Sequence, residues 1–340
     1  MAVEFDKKAA ILIGVNTYDH VTPLQFCRDD AAEFARVLQE TLGFKSDDIL
    51  QMIEGSEYPP TRGTIFHCLG ELKKVKKVGK DDLLLFFFSG HGMTGDEDGK
   101  DYLLPSDATP FNLEQTAIKI EDIAKELKKT DCNNIVMFID ACRNLGEKSV
   151  TSIGQEAADA VRRAGIVTFF SCDPKQKSYE IETLKHGSFT HCILEAITKN
   201  EGSSVSALDA YLRKRVPEIN KQYKKPDQEP YTIIEPIVKG QLQIFFSAVQ
   251  KVQTSATIEV WKSRLAYLFS EEQINVDLLN KTFEYLNLNK ENVSFERDQR
   301  TVLIKAVCDE TLLLDAFIAA WGTIERKTAK PKPKTSLGNL

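Results

Sequence analysis

The chain has 340 residues, enough for one large domain or two ordinary ones. A hydrophobic fraction of 42% and a charged fraction of 28% are those of a globular protein, and a net charge of -6 excludes a general electrostatic attraction to nucleic acid or to an anionic membrane. No apolar run approaches the roughly 18 residues needed to span a bilayer, and the first residues lack the apolar core of a secretory signal.

In chain order, short apolar runs alternate with segments of helical periodicity. The runs are continuous in apolar character, which is typical of strands buried on both faces of a parallel sheet. The predicted strands cover 9–15, 48–53, 83–88, 101–105, 135–139, 165–171 and 228–234. The predicted helices cover 29–42, 62–76, 118–129, 189–199 and 206–220. This order predicts an α/β domain with a mostly parallel central sheet flanked by helices.

The pattern changes near residue 250. From 256 to 327 the sequence shows only helix-like periodicity, and 328–340 is rich in Lys, Pro, Ser and Gly, which is typical of a disordered tail. We therefore predict an α/β domain at 1–248, a small all-helical C-terminal region at 249–327 and a disordered tail at 328–340.

Two of the apolar runs end in a reactive residue. The run at 83–88 leads into Ser-Gly-His91-Gly, and the run at 135–139 leads into Asp-Ala-Cys142-Arg. Sites of open parallel sheets form just past the carboxyl ends of the strands, so His91 and Cys142 are expected at one edge. A thiol beside an imidazole is the minimal arrangement for nucleophilic catalysis.

The spacing of this pair points to a family. His91 precedes Cys142 by 51 residues, and caspases carry their catalytic His about 50 residues before a Gln-Ala-Cys motif. Together with supporting segments at 10–15, 30–34, 102–105 and 170–172, the two motifs resemble the peptidase family of caspases, paracaspases and metacaspases over roughly residues 7–245. The resemblance implies the caspase-like version of the α/β fold.

The resemblance also implies a cysteine endopeptidase with a Cys–His dyad. Cys142 would attack the scissile carbonyl as a thiolate, and His91 would protonate the leaving amine. The backbone N–H groups of Gly92 and Cys142 would form the oxyanion hole, since backbone donors stabilise developing negative charge. The alternative is a pair of unrelated buried residues at two strand ends.

Within this resemblance, the charged residues expected around the S1 pocket indicate which P1 residue the enzyme would prefer. Caspases that cut after aspartate use an Arg six residues before the position of Asp30, where this chain has Leu24, and a Gln two before the nucleophile, where it has Asp140. Acidic residues at both places resemble paracaspases and metacaspases, which cut after Arg or Lys. A carboxylate pair binds a guanidinium bidentately, so the S1 pocket is assigned to Asp30 and Asp140.

Two more residues are assigned to S1 by resemblance. Glu180 resembles a third acidic pocket residue of paracaspases, and Cys27 resembles a pocket cysteine of metacaspases. For Asp30 the alternative is a helix N-cap, and Arg28 is near enough in sequence to neutralise it. The remaining histidines have no ligand spacing with acids or cysteines and are interpreted as surface or packing residues: His20, His67, His186 and His191.

The segment at 145–164 has no long apolar run and is predicted as an exposed loop with one helical turn or more. In the family the matching linker can be cut during maturation. Lys148, Arg162 and Arg163 would then be processing sites for an enzyme of basic specificity, and an uncut surface loop is the alternative.

The Cys–His chemistry requires no cofactor. Metacaspases often need calcium, but the acidic run at 96–98 does not match the ligand spacing of a known calcium loop, so the sequence predicts no metal site and gives calcium activation no support. The expected partners are proteins or peptides with a basic P1 residue, and the family includes both monomers and homodimers. Seven cysteines without a Cys-x-x-Cys pair favour a reducing, cytoplasmic compartment.

Two other functions stay open. One is a scaffold that keeps the caspase fold with little turnover and acts through its helical C-terminal region. The other is a caspase-type enzyme that cuts after Asp, against which Leu24 and Asp140 argue.

Overall fold

The structure, a computed structural model, describes residues 5–245 apart from 75, 97, 143–154 and 174–175. For Cys142 and Gln155 the backbone alone is described. These residues belong to one compact unit. The predicted helical region at 249–327 and the tail at 328–340 lie outside the described residues. Within them, every helix is too short or too polar to cross a bilayer.

A single large sheet forms the centre of the unit. The strands of the described residues are β1 (Lys8–Gly14), β2 (Ile49–Met52), β3 (Leu83–Thr94), β4 (Asp101–Leu103), β5 (Ile118–Lys119), β6 (Asn134–Cys142), β7 (Val167–Phe170), β8 (Glu180–Ile181), β9 (His186–Gly187) and β10 (Tyr231–Ile233). The main sheet has the order β10-β7-β6-β3-β1-β2. In addition, β4 pairs with the last residues of β3, and β5 pairs with β4. Across the main sheet, the pairs β2–β1, β1–β3, β3–β6 and β6–β7 are parallel, and β10 pairs antiparallel with β7 at the edge. The predicted mostly parallel sheet is confirmed.

Helices cover both faces of this sheet. They are α1 (Cys27–Leu42), α2 (Arg62–Lys74), α3 (Leu113–Thr116), α4 (Ile120–Lys128), α5 (Gln155–Ala164), α6 (Ser188–Thr198) and α7 (Val205–Gln222). Successive residues of β3 point to opposite faces, so Phe86 packs in the core under α2, α4 and α5, and Phe87 packs in the core under α1, α6 and α7. Each such buried ring contributes about 1.5–3 kcal/mol through its transfer from water.

The short elements α3, β5, β8 and β9 were not predicted, and two longer elements, β3 and α5, differ from the prediction in extent or burial. β3 continues past residue 88 to Thr94, because β4 pairs antiparallel with its last three residues. Within the segment predicted as an exposed loop with one helical turn or more, residues 155–164 form the ten-residue helix α5, which is not exposed along its whole length, since Ala157 and Val161 are fully buried. These two residues are one helical turn apart and face the sheet. Alanine supplies much of this buried face, so the segment lacks a long apolar run.

Candidate active site

β3 and β6 place His91 beside Cys142. The two strands are parallel neighbours, and their register makes His91 the Cα partner of Cys142. Adjacent strands lie about 4.8 Å apart, so the backbone brings the two residues within reach of one substrate group. Their predicted meeting at one edge of the sheet is therefore seen in the backbone geometry.

The backbone also selects the tautomer of His91. Its Nε2 lies 2.8 Å from the carbonyl oxygen of Thr22. A carbonyl oxygen can only accept a hydrogen bond, so Nε2 carries the proton of the neutral ring. Nδ1 is then the nitrogen that gains and loses a proton. The His91 side chain is fully buried, which keeps its orientation fixed.

Tyr18 supports His91 from the opposite side. The Tyr18 hydroxyl accepts the backbone N–H of His91 at 2.8 Å, and its ring lies 4.9 Å from the imidazole, centroid to centroid. Gly90 leaves the space for this contact, since a Cβ there would lie 2.8 Å from the Tyr18 hydroxyl oxygen. Tyr18 was not among the predicted site residues, because it lies 73 positions before His91 and no local motif marks the contact.

The carboxyl groups of Asp30 and Asp140 both lie against one glycine, Gly187. A Cβ on Gly187 would lie 2.8 Å from Oδ2 of Asp140 and 3.3 Å from Oδ2 of Asp30. The close approach of both carboxyl groups to this backbone therefore requires glycine. Asp30 and Asp140 are only 1% and 2% exposed, so the structure brings the two predicted S1 acids together in a buried position.

Hydroxyl groups hold Asp140 in place. Ser178 donates to Oδ1 at 2.6 Å, and Thr190 donates to Oδ2 at 2.7 Å. Burial raises the pKa of Asp140, and these hydrogen bonds oppose the rise by stabilising the carboxylate. Because Asp140 lies two residues before Cys142 on β6, these donors also fix the end of the strand that carries Cys142.

Asp30 lies in the first turn of α1 but does not cap the helix. Its Oδ2 accepts from the Ser89 hydroxyl at 2.9 Å, its Oδ1 accepts from the Gly187 N–H at 3.2 Å, and Nδ1 of His186 lies 2.8 Å from Oδ1. The N-cap residue of α1 is Phe26. The N-cap alternative for Asp30 is therefore wrong.

The two partners in this contact have unusual pKa values. Burial raises the pKa of Asp30 to about 7; the neighbouring Asp140 adds to the rise, and the hydrogen bond from His186 opposes it. Burial also disfavours the charged imidazole of His186, but the hydrogen bond to Asp30 and nearby carboxylates outweigh it, so the pKa of His186 is raised. Near neutral pH the pair therefore changes its protonation state.

The basic group beside Asp30 is His186 and not Arg28. The Arg28 side chain is half exposed and its Nη2 lies 3.0 Å from Oδ1 of Asp29. The interpretation of His186 as a surface or packing residue is wrong. His186 is 156 positions from Asp30, and the fold that joins β9 to the start of α1 creates a contact that no sequence motif marks.

Glu180 and Cys27 meet at the beginning of α1. Oε1 of Glu180 accepts the backbone N–H groups of Gln25 and Phe26 at 2.9 and 2.7 Å, and Sγ of Cys27 lies 3.9 Å from the same oxygen. Glu180 thus anchors the strand β8 to the segment that leads into α1. Its predicted role in S1 stays a prediction, as does that of Cys27.

A cavity of about 270 Å³ opens between this segment and β8. Its walls include Leu24, Ser178, Glu180, Glu182 and the basic residue Lys225. Ser178 also donates to Asp140, so the cavity reaches the acid pair through one hydroxyl group. Leu24 places an aliphatic side chain where aspartate-specific caspases carry Arg, and Glu182 is an additional acidic residue that was not predicted.

Of the remaining predicted residues, one lies next to His91 and two lie on a helix. Gly92 follows His91 in β3, and its Cα partner is Leu103 in β4. Arg162 and Arg163 belong to α5, where Arg162 pairs with Asp159 at 2.6 Å. A helix packed on a sheet differs from the exposed loop tips at which proteolysis concentrates. Lys148 lies outside the described residues.

The described residues hold no group of three or more His, Cys, Asp or Glu side chains arranged to bind a metal ion. Within the acidic run at 96–98, Asp98 accepts a hydrogen bond from the Tyr102 hydroxyl at 2.7 Å and lies 3.2 Å from Nζ of Lys119. The neighbouring Glu97 lies outside the described residues. Asp98 therefore contributes to the packing of β4 and β5.

Residues 7–237 match the family model described as Caspase domain. Metacaspase-7 from Arabidopsis thaliana is 29% identical over 164 residues, which are 44% of this chain and 40% of that protein. Metacaspase-1 from Cryptococcus neoformans var. neoformans serotype D is 35% identical over 100 residues, 27% of this chain and 21% of that protein. The matches span less than half the length of these relatives. Caspase-1 from Spodoptera frugiperda aligns structurally with a TM-score of 0.47 at 16% identity, over 68% of this chain and 88% of that one.

Proposed function

Because the chain belongs to the family of caspase-domain peptidases, we propose that it is a cysteine endopeptidase that cuts after Arg or Lys and uses Cys142 and His91. The observation that carries this proposal is the register of β3 and β6, which makes these two residues cross-strand neighbours. The family accounts for the peptidase chemistry, and the acidic surroundings account for the choice of substrate.

The proposed reaction begins with the Cys142 thiolate. Its sulfur forms a bond to the scissile carbonyl carbon, and the carbonyl oxygen takes the negative charge next to the N–H groups of Gly92 and Cys142. Nδ1 of protonated His91 gives its proton to the leaving amine as the C–N bond breaks, which leaves a thioester. Water then attacks the thioester and His91 takes a proton from that water. The C–S bond breaks, which restores the Cys142 thiolate and releases the new carboxyl group. Nε2 stays on the Thr22 carbonyl throughout.

The proposed preference for Arg or Lys rests on the charges around the pocket. Asp30 and Asp140 form a buried acid pair, and Glu180 and Glu182 line the adjoining cavity. Buried carboxylates bind a cationic side chain more strongly than exposed ones, because water screens the charges less. With Leu24 at the position where aspartate-specific enzymes carry Arg, the described part of the pocket favours a cation over a carboxylate.

A pH dependence follows from the pKa of Asp30. We expect KM for an Arg substrate to fall by roughly tenfold between pH 6 and pH 8, because the Asp30 carboxyl ionises near pH 7 and its negative charge favours the substrate cation. The groups that face Asp30 and share in this titration are His186 and Asp140. Measuring KM separately from kcat removes the contribution of the dyad, and a KM that does not vary with pH would contradict the role of Asp30.

The proposed function is tested with fluorogenic peptides that differ only in a P1 residue of Arg, Lys or Asp, with and without calcium. We expect turnover of the Arg and Lys peptides by the full chain and none by Cys142→Ala, which controls for contaminating proteases. Turnover of the Asp peptide would overturn the pocket assignment. The calcium arm tests metal activation independently of the P1 preference.

A scaffold with little turnover is the alternative that one observation favours. Both S1 acids are almost fully buried and hydrogen-bonded within the protein. A scaffold would react slowly with a basic peptide electrophile at Cys142, with no preference for Arg or Lys over Asp. Rapid labelling that depends on a basic P1 residue would exclude this alternative.

A further inference from the structure

His186 is the partly exposed member of the group around Asp30. Asp30 and Ser89 are only 1% and 2% exposed, and Gly187 is buried. The side chain of His186, in contrast, is 18% exposed to solvent. Among the described residues that hydrogen bond to this carboxyl group, the imidazole therefore lies on the route from solvent. A substrate side chain that approaches Asp30 by this route meets His186 first.

The Asp30 carboxylate already has its donors. Oδ1 faces Nδ1 of His186 at 2.8 Å and the Gly187 N–H at 3.2 Å, and Oδ2 accepts from Ser89 at 2.9 Å. A guanidinium needs two parallel N–H···O contacts with a carboxylate. Oδ1 already accepts two hydrogen bonds, which occupy both of its lone pairs, so one of its donors must leave before a bidentate pair forms.

His186 is the donor that can leave at least cost. The Ser89 hydroxyl lies within β3, between β1 and β6, and the Gly187 N–H belongs to the backbone between β9 and α6. Rotation of the Ser89 hydroxyl would free only Oδ2, and movement of the Gly187 N–H would disturb the junction of β9 with α6. The imidazole can leave by rotation of its own side chain, which needs no change in the backbone.

The surroundings of His186 favour any cation at this place. From α1, Asp29, Asp30 and Glu33 all act on the imidazole, and α6 contributes His191, whose ring centroid lies 6.5 Å away. An imidazolium donates an N–H and carries a positive charge, as do the side chains of Arg and Lys. The imidazole therefore has the chemistry of the P1 side chain expected there.

We propose that His186 is a specificity-determining residue that occupies the cation site at Asp30, and that a P1 Arg or Lys side chain displaces its imidazole to bind. This proposal rests on the proposed function. It makes substrate binding an exchange of one cation for another. Only a P1 group that binds Asp30 better than the imidazole opens the site, which excludes neutral side chains.

The test compares KM and kcat for an Arg peptide in the full chain and in three variants. We expect His186→Ala to lower KM by about fivefold with little change in kcat, since removing a competing ion pair alters binding and not the chemical step. His186→Asn keeps an N–H donor near Oδ1 but carries no charge, so its KM should also fall, by less than that of His186→Ala. His191→Gln changes the neighbouring half-buried histidine and serves as the matched control, with KM unchanged.

The outcomes separate this proposal from the proposed function. A higher KM in His186→Ala, or a KM equal to that of His191→Gln, would overturn the displacement of His186 while leaving a basic-specific peptidase in place. Lack of Arg or Lys turnover by the wild type would overturn the proposed function and this proposal with it. If His186→Ala does not fold, as seen by thermal unfolding, the KM of His186→Asn at pH 8 decides instead, because the Asp30 carboxyl is mostly ionised there. A lowered KM would support the displacement of His186, and an unchanged or raised KM would overturn it.

Discussion

Replacement of His91 by Ala is expected to lower kcat for an Arg peptide by about a thousandfold, with little change in KM. Loss of a general acid typically costs a factor of 10² to 10⁴. His91 is held by the Thr22 carbonyl at Nε2 and by the Tyr18 hydroxyl at its backbone N–H, and these two contacts fix the position of its ring. Neither of these holding groups takes up a proton in the reaction, which leaves proton transfer to the imidazole.

The measurement is steady-state kinetics, with the amount of active protein taken from labelling of Cys142. His91→Gln keeps a polar group near Thr22 and should lose as much kcat as His91→Ala, because an amide does not transfer protons. His67→Ala, which removes an exposed histidine on α2, is the matched control and should keep full activity. A loss of less than tenfold in both His91 variants would show that another group protonates the leaving amine.

Asp30→Asn is expected to lower kcat/KM for an Arg peptide by about a hundredfold. The change keeps the size of the side chain and its capacity to accept from Ser89, but it removes the charge that would pair with a guanidinium. Losing one partner of a desolvated charge pair costs about 2–5 kcal/mol, and about 2.7 kcal/mol corresponds to a hundredfold. Asp29→Asn is the matched control, since Asp29 is the next residue on the same helix and pairs with Arg28 at the surface.

The same substitution should stabilise the protein at pH 8. The pKa of Asp30 is raised to about 7 from 3.8, so between these two pH values the folded state holds a proton that the unfolded state has released. Its contribution to stability is fully present below pH 3.8 and is lost as the pH rises through about 7. Asp30→Asn removes this loss, and we expect a gain on the order of 2 kcal/mol at pH 8 that disappears near pH 4. Urea unfolding at the two pH values measures it, and equal stability at pH 8 would contradict the burial penalty.

The main strands of the sheet follow from properties that the sequence shows directly. Continuous apolar runs predicted β3 and β6, because strands covered on both faces exclude polar side chains. The meeting of His91 and Cys142 followed from a general rule for parallel sheets. The Asp30 and Asp140 assignments needed the family resemblance as well, since no period or spacing connects residues 110 positions apart.

The missed contacts share one physical cause. Tyr18 reaches His91 and His186 reaches Asp30 only after the chain has folded, and each contact depends on side-chain directions at two distant places. A buried carboxylate selects a donor of the right shape, and Ser, Thr, His or a backbone N–H can all supply one. The sequence therefore limits the kind of partner without identifying which residue it is.

The stretch from Thr22 to Asp30 touches both halves of the site. The Thr22 carbonyl lies against Nε2 of His91, and residues in the middle of the stretch donate two backbone N–H groups to Glu180. At the other end of the stretch, the Asp30 carboxylate lies against His186. A shift of this stretch on occupation of the pocket would change the distance between Thr22 and His91. Such a shift would link recognition to proton transfer, so a badly fitting side chain would slow the reaction itself as well as weaken binding.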